Sequence, residues 1–425
     1  METHTKNVSL ADLQRIVGAE HAREATPEDA VDGVEPSFVA EPGSVEETSE
    51  LLRFATDEGL AVSVRGGGTK TSLGNPPREL DLILSTARMN EIVEYVPGDQ
   101  VVRVQAGMKL QDLQDRLAGS NQMLGIDPPE RGATIGGVVA ANSTGPRRYR
   151  YGTIRDLIIG ITVVLSDGTV AKAGGKVVKN VAGYDLSKLF TGSLGTLGVI
   201  AECNFRLHPR PEAARTVALE PESTLSAGQA AQAVLHAQLV PSAVELNWSE
   251  DTRLLTVLIE GIEPSVEAQA ETASYLLRSF GKVRELTDEE AVSLGSLAPP
   301  GAGSDEVAIK ISTPPAELTG VLDSALGACA RRAVSPRITG HAGVGVTYVA
   351  LSGADDEARA QVVEELREIW TRRGGSVVVR EAPTTFKKRV EVWGPLGSRL
   401  ELTRRVKEKF DPRGILNPGR FVGGI

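Results

Sequence analysis

The stretch VRGGGTK, residues 64–70, determines how the rest of the chain is interpreted. An apolar strand pattern ends here, and an arginine, three glycines, a threonine and a lysine follow it. Because glycine has no side chain, the backbone N–H groups of such a run can approach the oxygens of a diphosphate closely. A flexible turn would have a similar composition, so the other segments of the chain must distinguish the two interpretations.

Two common nucleotide-binding signatures do not fit this run. Its glycines are consecutive and GNPP follows them, whereas the dinucleotide fingerprint spaces them as Gly-x-Gly-x-x-Gly at the start of a helix. The chain also lacks the Gly-Lys-Ser/Thr of NTPase phosphate loops. It has instead four glycine-rich segments, which we expect to converge on one elongated anionic ligand: RGGGTK (65–70), TIGGVVAANSTGPRR (134–148), KNVAGYD (179–185) and GSLGTLGVI (192–200).

Charge and hydropathy exclude several classes of protein. The 425-residue chain has a formal net charge of −10, which argues against a general nucleic-acid binder, since that needs a basic face. The first residues lack the apolar core of a signal peptide, and the longest apolar run, LIIGITVVL (157–165), is shorter than the roughly 20 residues of a membrane helix. We expect a cytoplasmic protein with no direct membrane span, in which any attachment to the inner membrane is made through partners.

The cysteine and histidine contents limit the metal chemistry of the chain. Cys203 and Cys329 are the two cysteines, and we expect both in the core of a protein from a reducing compartment. Two thiols cannot supply a four-cysteine iron–sulfur cluster. The five histidines show no pair with metal-ligand spacing, so we expect no metal site.

Hydrophobic periodicity predicts an α+β fold. Residues 37–65 show the pattern strand, helix, strand, and residues 157–173 that of a hairpin turning at Ser166-Asp167-Gly168. From about residue 215 to 287 the order is strand, helix, strand, strand, helix, strand, and the same order recurs from about 306 to 380. Two such split βαβ units in series indicate one alternating domain.

The glycine-rich segments carry a resemblance to a known family. With GPRRYRYGTIRDLIIG (145–160), KVVKNVAGYDLSKLFTGSLGTLGVI (176–200) and FDPRGILNPGR (410–420), they resemble the vanillyl-alcohol oxidase / p-cresol methylhydroxylase family. Within that family they are most similar to the FAD-binding E subunit of bacterial glycolate dehydrogenase (glycolate oxidase). The resemblance implies an N-terminal helical extension (1–34), a PCMH-type FAD-binding domain of two α/β lobes (35–210), a cap domain of paired ferredoxin-like units (211–395), and a C-terminal segment that returns to the flavin (396–425).

The resemblance also implies which residues bind FAD. The pyrophosphate loop would be Arg65, Gly66, Gly67, Gly68 and Thr69, and the second side of the cofactor would be lined by Thr134, Gly136, Gly137, Ala140 and Asn142. Gly195 and Ile200 would lie near the pyrophosphate or adenine end, and Asn417 near the flavin ring. Lys179, Asn180 and Tyr184 match the subfamily pattern without an assigned role.

Two departures from the family pattern change what is expected of this chain. Many relatives attach the flavin covalently to a histidine in an Arg-Gly-Gly-His run, and here Gly68 takes that place, so we expect non-covalent FAD. The family's hydroxy-acid dehydrogenases bind metal and substrate with a His-Ala-Gly-Asp-Gly-Asn-x-His run, where this chain has HAGVGVTYV (341–349). Because valine binds neither protons nor metals, we expect His341 to be a remnant held by packing rather than a catalytic base.

Candidates for substrate binding are fewer. Arg147 and Arg148 follow the flavin-lining segment, and paired arginines bind carboxylates in bidentate geometry. Solvation at the surface or contact with a partner would explain the same pair.

The resemblance implies an FAD-dependent oxidoreductase, the FAD-binding subunit of a glycolate-dehydrogenase-like complex that oxidises a 2-hydroxy acid. A second flavoprotein subunit and an iron–sulfur subunit would be its partners, and the lost metal residues favour substrate oxidation in the sister flavoprotein. Two alternatives remain open: a self-sufficient alcohol or hydroxy-acid dehydrogenase, and a non-catalytic assembly subunit with structural FAD.

Overall fold

Helices and strands alternate along the chain in the computed structural model, which describes residues 8–175, 185–295 and 305–425, without the side chains of 292–295. The helices of these ranges are α1 Leu10–Val17, α2 Val45–Glu58, α3 Leu110–Ala118, α4 Ile135–Ala141, α5 Arg148–Tyr151, α6 Ile154–Leu157, α7 Leu186–Phe190, α8 Thr224–His236, α9 Glu263–Leu277, α10 Asp288–Gly295, α11 Leu318–Ala330, α12 Asp356–Arg372, α13 Thr384–Lys387 and α14 Arg399–Phe410.

The strands of the same ranges are β1 Ala22–Glu24, β2 Phe38–Ala40, β3 Val62–Arg65, β4 Leu82–Ser85, β5 Ile92–Val96, β6 Val101–Gln105, β7 Gln122–Met123, β8 Ile158–Val164, β9 Val170–Gly174, β10 Val199–Arg206, β11 His208–Pro209, β12 Ala213–Pro221, β13 Ala243–Trp248, β14 Arg253–Gly261, β15 Gly281–Glu285, β16 Val307–Ser312, β17 Ser335–His341, β18 Val346–Ser352 and β19 Ser376–Glu381. The predicted α+β class is confirmed.

The first sheet has the strand order β1-β2-β4-β3. β2, β4 and β3 are parallel, and helix α2 connects β2 to β3 with Leu51, Leu52 and Ala55 fully buried. The N-terminal extension is not only helical, which corrects the expectation for residues 1–34. Helix α1 buries Leu13 and Val17 in the same core, and β1 then pairs with β2 as an antiparallel edge strand.

The second sheet is antiparallel, with the order β5-β6-β10-β8-β9. Strands β8 and β9 form the predicted hairpin, and its turn needs Gly168 because φ there is 83°. Cys203 and Phe205 of β10 are fully buried in the core of this lobe. The second cysteine, Cys329, is also fully buried, on α11, so both lie in cores as expected.

The third sheet, here called the cap sheet, contains strands β12–β19 in the order β15-β12-β14-β13-β17-β18-β16-β19. Each half is one of the two predicted βαββαβ units, and β13 pairs with β17 where the halves meet. Alternate residues such as Val257, Ile309 and Val349 are fully buried under the helices α8, α9, α11 and α12. The intervening residues therefore point to the opposite, helix-free face of the cap sheet.

The C-terminal segment packs beside the first sheet. Val62 of β3 donates its N–H to the carbonyl of Ile415 and accepts from the N–H of Asn417, at 2.8 Å each. The buried Lys407 of α14 holds this segment in place, because its ammonium donates to Asp411 Oδ2 at 2.6 Å and to the carbonyls of Thr196 and Leu416 at 2.8 Å each.

Replacing that buried ammonium tests the attachment of the segment. Lys407→Met leaves the carboxylate of Asp411, which is fully buried, without its counterion, so we expect the free energy of unfolding to fall by about 3–5 kcal/mol. Lys409→Met, at an exposed position of the same helix, is the control and should change it by less than about 0.5 kcal/mol. Urea unfolding followed by circular dichroism measures both, and equal midpoints for the two variants would contradict the role of Lys407.

Candidate functional site

A cleft lies where the first sheet, helix α4, the 194–200 segment and the C-terminal segment meet. Of the residues that the resemblance assigned to FAD, all except Asn142 line it: Arg65, Gly66, Gly67, Gly68, Thr69, Thr134, Gly136, Gly137, Ala140, Gly195, Ile200 and Asn417. Asn142 ends helix α4 in the left-handed conformation (φ 47°), exposed and outside this lining. Lys179, Asn180 and Tyr184 lie outside the described residues.

The glycines of the triplet each have a distinct reason to be there. A Cβ on Gly66 would lie 2.1 Å from Thr134 Oγ1, and one on Gly67 would lie 2.0 Å from the carbonyl oxygen of Gly132. Gly68 has open space around it but adopts φ +72°, which strains any other residue. The triplet therefore lets the loop after β3 press against the segment before α4 and then reverse its direction.

This loop presents free donors to the cleft. Within the described part of the chain, the backbone N–H groups of residues 66–71 meet no hydrogen-bond acceptor. The loop is held from behind by its carbonyls instead, since the Arg420 guanidinium donates to the carbonyls of Thr71 and Leu73 and the Lys387 ammonium to that of Ser72. Successive unpaired N–H groups on a concave loop form an anion-binding nest.

The opposite wall is rigid and close to the loop. Thr134 caps helix α4, with its hydroxyl accepting from the N–H of Gly137 at 3.4 Å. Gly136 allows α4 to touch Ala106, because a Cβ there would lie 2.7 Å from the Cβ of Ala106. These residues shape the wall through capping and close packing, and Thr134 is 4% exposed.

Asn417 is committed to protein contacts inside the cleft lining. Its amide nitrogen donates to the carbonyl of Leu194 at 2.7 Å, and its amide oxygen accepts from the Ser63 hydroxyl at 2.7 Å. The side chain therefore joins β3 to the 194–200 segment, and it positions the wall of the cleft.

Arg65 is held by an acid that sequence reasoning missed. Its guanidinium donates to Asp29 Oδ1 at 2.9 Å, and Asp29 also accepts two hydrogen bonds from Arg23. The Arg23 hydrogen bonds, helped by Arg65, hold the pKa of the Asp29 carboxyl well below its usual range. A single aspartate in a loop of the N-terminal segment gives no periodic signal that could have revealed this contact.

A second group of polar and charged side chains lies on the helix-free face of the cap sheet, where it meets α5 and the segments around residues 70 and 130. We call it the polar chamber, and its members are Lys70, Glu130, Arg148, Glu245, Lys310, His341, Tyr348, Arg380 and Glu381. Lys310 and Tyr348 are directly opposite on β16 and β18, as are Glu245 and His341 on β13 and β17. Lys70 lines the cleft, forms an ion pair with Glu130 and lies near Arg380, so the chamber adjoins the cleft.

The adjacent residues Arg147 and Arg148, which the sequence suggested as a pair, have different partners in the structure. Arg147 forms a bidentate ion pair with Glu260 of β14, with Nη2 to Oε1 at 2.6 Å and Nε to Oε2 at 3.2 Å. Arg147 thus fastens the FAD-side segment to the cap sheet. Arg148 donates only to the Thr144 hydroxyl at 3.2 Å and has no carboxylate partner in the described ranges, so it is the one available to a ligand.

Lys310 and Arg380 are cations that sequence reasoning missed. Both are half-buried, and neither has a hydrogen-bond or ion-pair partner among the residues that the structure describes. Burial, reinforced by the positive charges of Arg380 and Arg148, lowers the pKa of Lys310 to about 8. A lysine whose pKa is lowered by burial and by neighbouring cations marks a region of uncompensated positive charge.

His341 lies at the end of β17 and is not held by packing alone. Its Nδ1 is 2.7 Å from Glu245 Oε2, while its buried Nε2 has no partner in the described part of the chain. Burial raises the pKa of Glu245. Among residues 8–175, 185–295 and 305–425, no three His, Cys, Asp or Glu side chains are arranged to hold a metal ion, and no helix is both long and apolar enough to cross a membrane.

Comparison with known proteins identifies the family. Residues 36–174 match the FAD binding domain model, and residues 301–421 match the model of the C-terminal domain of FAD linked oxidases. The mitochondrial D-2-hydroxyglutarate dehydrogenase of Bos taurus is 30% identical over 90% of this chain and 76% of its own length. The chain belongs to the vanillyl-alcohol oxidase / p-cresol methylhydroxylase family of FAD-linked oxidoreductases. Its cofactor is FAD.

Two glycolate oxidase subunits are also similar to this FAD-linked oxidoreductase. Subunit GlcD of Bacillus subtilis is 29% identical over 91% of this chain and 89% of its own length. Subunit GlcE of Escherichia coli is 34% identical over 52% of this chain and 62% of its own length. Among solved structures, p-cresol methylhydroxylase with bound substrate superposes with a TM-score of 0.76 at 18% identity, covering 97% of this chain and 95% of that one. That similarity shows the shared fold.

The cleft of the oxidoreductase fits the charge and shape of FAD. The free N–H groups of residues 66–71 suit a diphosphate, and Gly66 and Gly67 let this loop pack closely against the Thr134 segment that forms the opposite wall.

Closing the space at the triplet should weaken FAD binding. In Gly67→Ala the new methyl group collides with the Gly132 carbonyl, a backbone atom that cannot rotate away, so we expect the dissociation constant of FAD to rise about 100-fold, or about 2.7 kcal/mol. Gly98→Ala, with open space at its Cβ, is the matched control and should bind normally. Fluorescence titration of the apoprotein with FAD measures both, and unchanged affinity in Gly67→Ala would exclude this loop from the site.

Proposed function

We propose that this chain oxidises a small 2-hydroxy acid at its FAD, as the FAD-binding subunit of a glycolate-dehydrogenase-like complex. The observation that supports it is the polar chamber beside the cleft, where Arg148, Lys310 and Arg380 form no direct ion pair with a carboxylate in the described ranges. Arginine and lysine bind carboxylates through charge-assisted hydrogen bonds. The D-2-hydroxyglutarate dehydrogenase among the relatives is named for a substrate of this class.

The polar chamber changes which subunit we propose as the one that oxidises the acid. The sequence favoured a sister subunit because Val344 and Val346 replace metal-site residues of the family. The cations of the chamber come from β16, β19 and α5, outside that motif, so this chain has its own means of binding the acid.

The residues of the chamber divide the work of binding the acid. When bound, FAD would accept the hydrogen and the two electrons that leave C2 of the acid. Arg148, Lys310 and Arg380 bind and orient carboxylate, which fixes the distance and direction of C2. Burial raises the pKa of Tyr348, which stays a neutral phenol able to donate a hydrogen bond within the chamber.

The electrons must leave through a partner. Cys203 and Cys329 are both fully buried, and burial raises their pKa, so this chain offers no exposed thiolates as cluster ligands. A second flavoprotein subunit and an iron–sulfur subunit are the proposed partners, in agreement with the glycolate oxidase subunits among the relatives. The complex would be cytoplasmic, with any contact to the inner membrane made by those partners.

Rapid mixing tests the proposed oxidation. Anaerobic mixing of the holoprotein with a panel of 2-hydroxy acids should bleach the flavin absorbance. Arg148→Met should lower kcat/KM about 100-fold because a charge-assisted contact to the carboxylate is lost, a change of about 2.7 kcal/mol. Arg155→Met, an exposed arginine of α6, is the matched control and should leave the rate unchanged.

The outcomes separate the three functions. Bleaching by the isolated chain, with electron transfer to a purified iron–sulfur partner, supports the proposal. Bleaching with rapid transfer to a quinone or oxygen and none to that partner supports a self-sufficient dehydrogenase. A flavin that no hydroxy acid bleaches, and that passes no electrons after reduction with dithionite, would indicate a structural cofactor in an assembly subunit.

The flavin should be held without a covalent bond. Gly68 offers no side chain to the flavin at the position where relatives carry the attached histidine. Acid precipitation of the holoprotein should therefore release all the FAD into the supernatant, as measured by its absorbance. Yellow colour that stays with the precipitate after washing would contradict this expectation.

A further inference from the structure

We propose that Lys387 is a positioning residue for FAD, although it belongs to the cap half of the chain and does not line the cleft. It holds the loop that follows β3 from the carbonyl side, and bound FAD in return holds the end of the cap in place. The inference concerns the cofactor alone, so it does not depend on the proposed function.

Lys387 lies at the end of helix α13 and is almost completely buried. Its side chain is 1% exposed, and its ammonium is 2.9 Å from each carboxylate oxygen of Asp32, whose side chain is 5% exposed. The same ammonium donates to the carbonyl of Ser72. Because an ammonium has three donors, these contacts use all of them and fix the ammonium between Asp32 and Ser72.

The carbonyl of Ser72 belongs to a turn that closes the loop. The N–H of Leu73, in the same peptide unit, donates to the carbonyl of Lys70 at 3.1 Å. That carbonyl shares a planar peptide unit with the N–H of Thr71, which is one of the free donors of the loop. Fixing the Ser72 carbonyl therefore fixes the direction of the last free N–H group.

Arg420 supports the same turn from the C-terminal segment. Its guanidinium donates to the carbonyls of Thr71 and Leu73, so two side chains hold three consecutive carbonyls. Trp393 joins the two supports, since its indole N–H donates to the carbonyl of Arg420 at 3.1 Å. We call residues 384–394 the cap tail.

The cap tail and FAD contact different sides of one loop. No residue of the cap tail, all of which the structure describes, lines the cleft, whereas residues 66–71 line it and carry free N–H groups. Two partners that order the same segment favour each other's binding, and the coupling factor is the same in both directions. Lys387 therefore strengthens FAD binding by the factor by which FAD strengthens the attachment of the cap tail.

The variant Lys387→Met tests the first direction. The Ser72 carbonyl loses its donor, while Asp32 keeps Arg420 as a counterion 3.6 Å away. We expect the dissociation constant of FAD to rise at least about tenfold, with a small decrease in the urea midpoint of the apoprotein. Lys388→Met, at the exposed neighbouring position, is the matched control and should change neither value.

The variant Asp32→Asn should give the opposite ranking. It leaves Lys387 and Arg420 without the carboxylate that contacts both, so the urea midpoint should fall further than in Lys387→Met. The donor to Ser72 is retained, so the dissociation constant of FAD should rise less than in Lys387→Met. Asparagine also tolerates the φ of 48° at this position. Fluorescence titration with FAD and urea unfolding followed by circular dichroism measure the two quantities.

Hydrogen exchange of the wild-type protein tests the reverse direction. FAD should slow the exchange of the N–H groups of residues 387–389 at least about tenfold, although these residues lie outside the cleft. These groups donate to the carbonyls of Pro383, Thr384 and Phe386 and exchange when the cap tail opens. Helix α9, which packs on the first half of the cap sheet, is the control, and its exchange should not depend on FAD. This measurement decides the question even if a variant does not fold.

Three results would overturn the inference. A dissociation constant of FAD that is unchanged in Lys387→Met would exclude a positioning role. Dissociation constants that follow the urea midpoints, with Asp32→Asn the weaker binder, would mean that Lys387 only stabilises the fold. Equal exchange of the cap tail with and without FAD would exclude the reciprocal coupling, and the inference with it.

Discussion

The free N–H groups of residues 66–71 are the constraint on which the rest of the site depends. Peptide N–H groups without protein acceptors persist only where water or an anion can reach them, so this loop must stay open on one side and be held from the other. Glycines at positions 66 and 67 allow the close approach to the Thr134 segment, and Arg420 and Lys387 hold the loop through its carbonyls. The loop is thus held rigidly by groups that leave its donors free.

Holding the loop requires segments that are far apart in the chain. Lys387 bridges the loop to Asp32, with its ammonium 2.9 Å from both carboxylate oxygens, and Asn417 links β3 to the 194–200 segment. The C-terminal segment is fixed in turn by Lys407. The shape of the candidate FAD cleft therefore depends on contacts among the N-terminal, central and C-terminal parts of the protein.

Sequence alone predicted the parts of this protein that repeat or cluster. Apolar periodicity located the two βαββαβ units. The FAD candidates of segments 65–70, 134–148 and 192–200 line the cleft except Asn142, which ends α4 at an exposed position, while residues 179–184 lie outside the described part of the chain. Lys310 and Arg380 were missed because a lone cation in a strand resembles a solvated residue. Only the strand register of the cap sheet brings them to Arg148, and register depends on long-range pairing that one sequence does not reveal.

The two halves of the cap sheet share one βαββαβ order but make different contacts. In the first half, Glu260 of β14 is bound by Arg147 and its carbonyl by Arg150, so this half anchors the sheet to the rest of the molecule. The second half contributes Lys310, Tyr348 and Arg380 to the chamber. The contacts that attach the sheet and the cations of the polar chamber thus lie in different halves, so a substitution in the second half can change the charge of the chamber while the first half keeps the sheet in place.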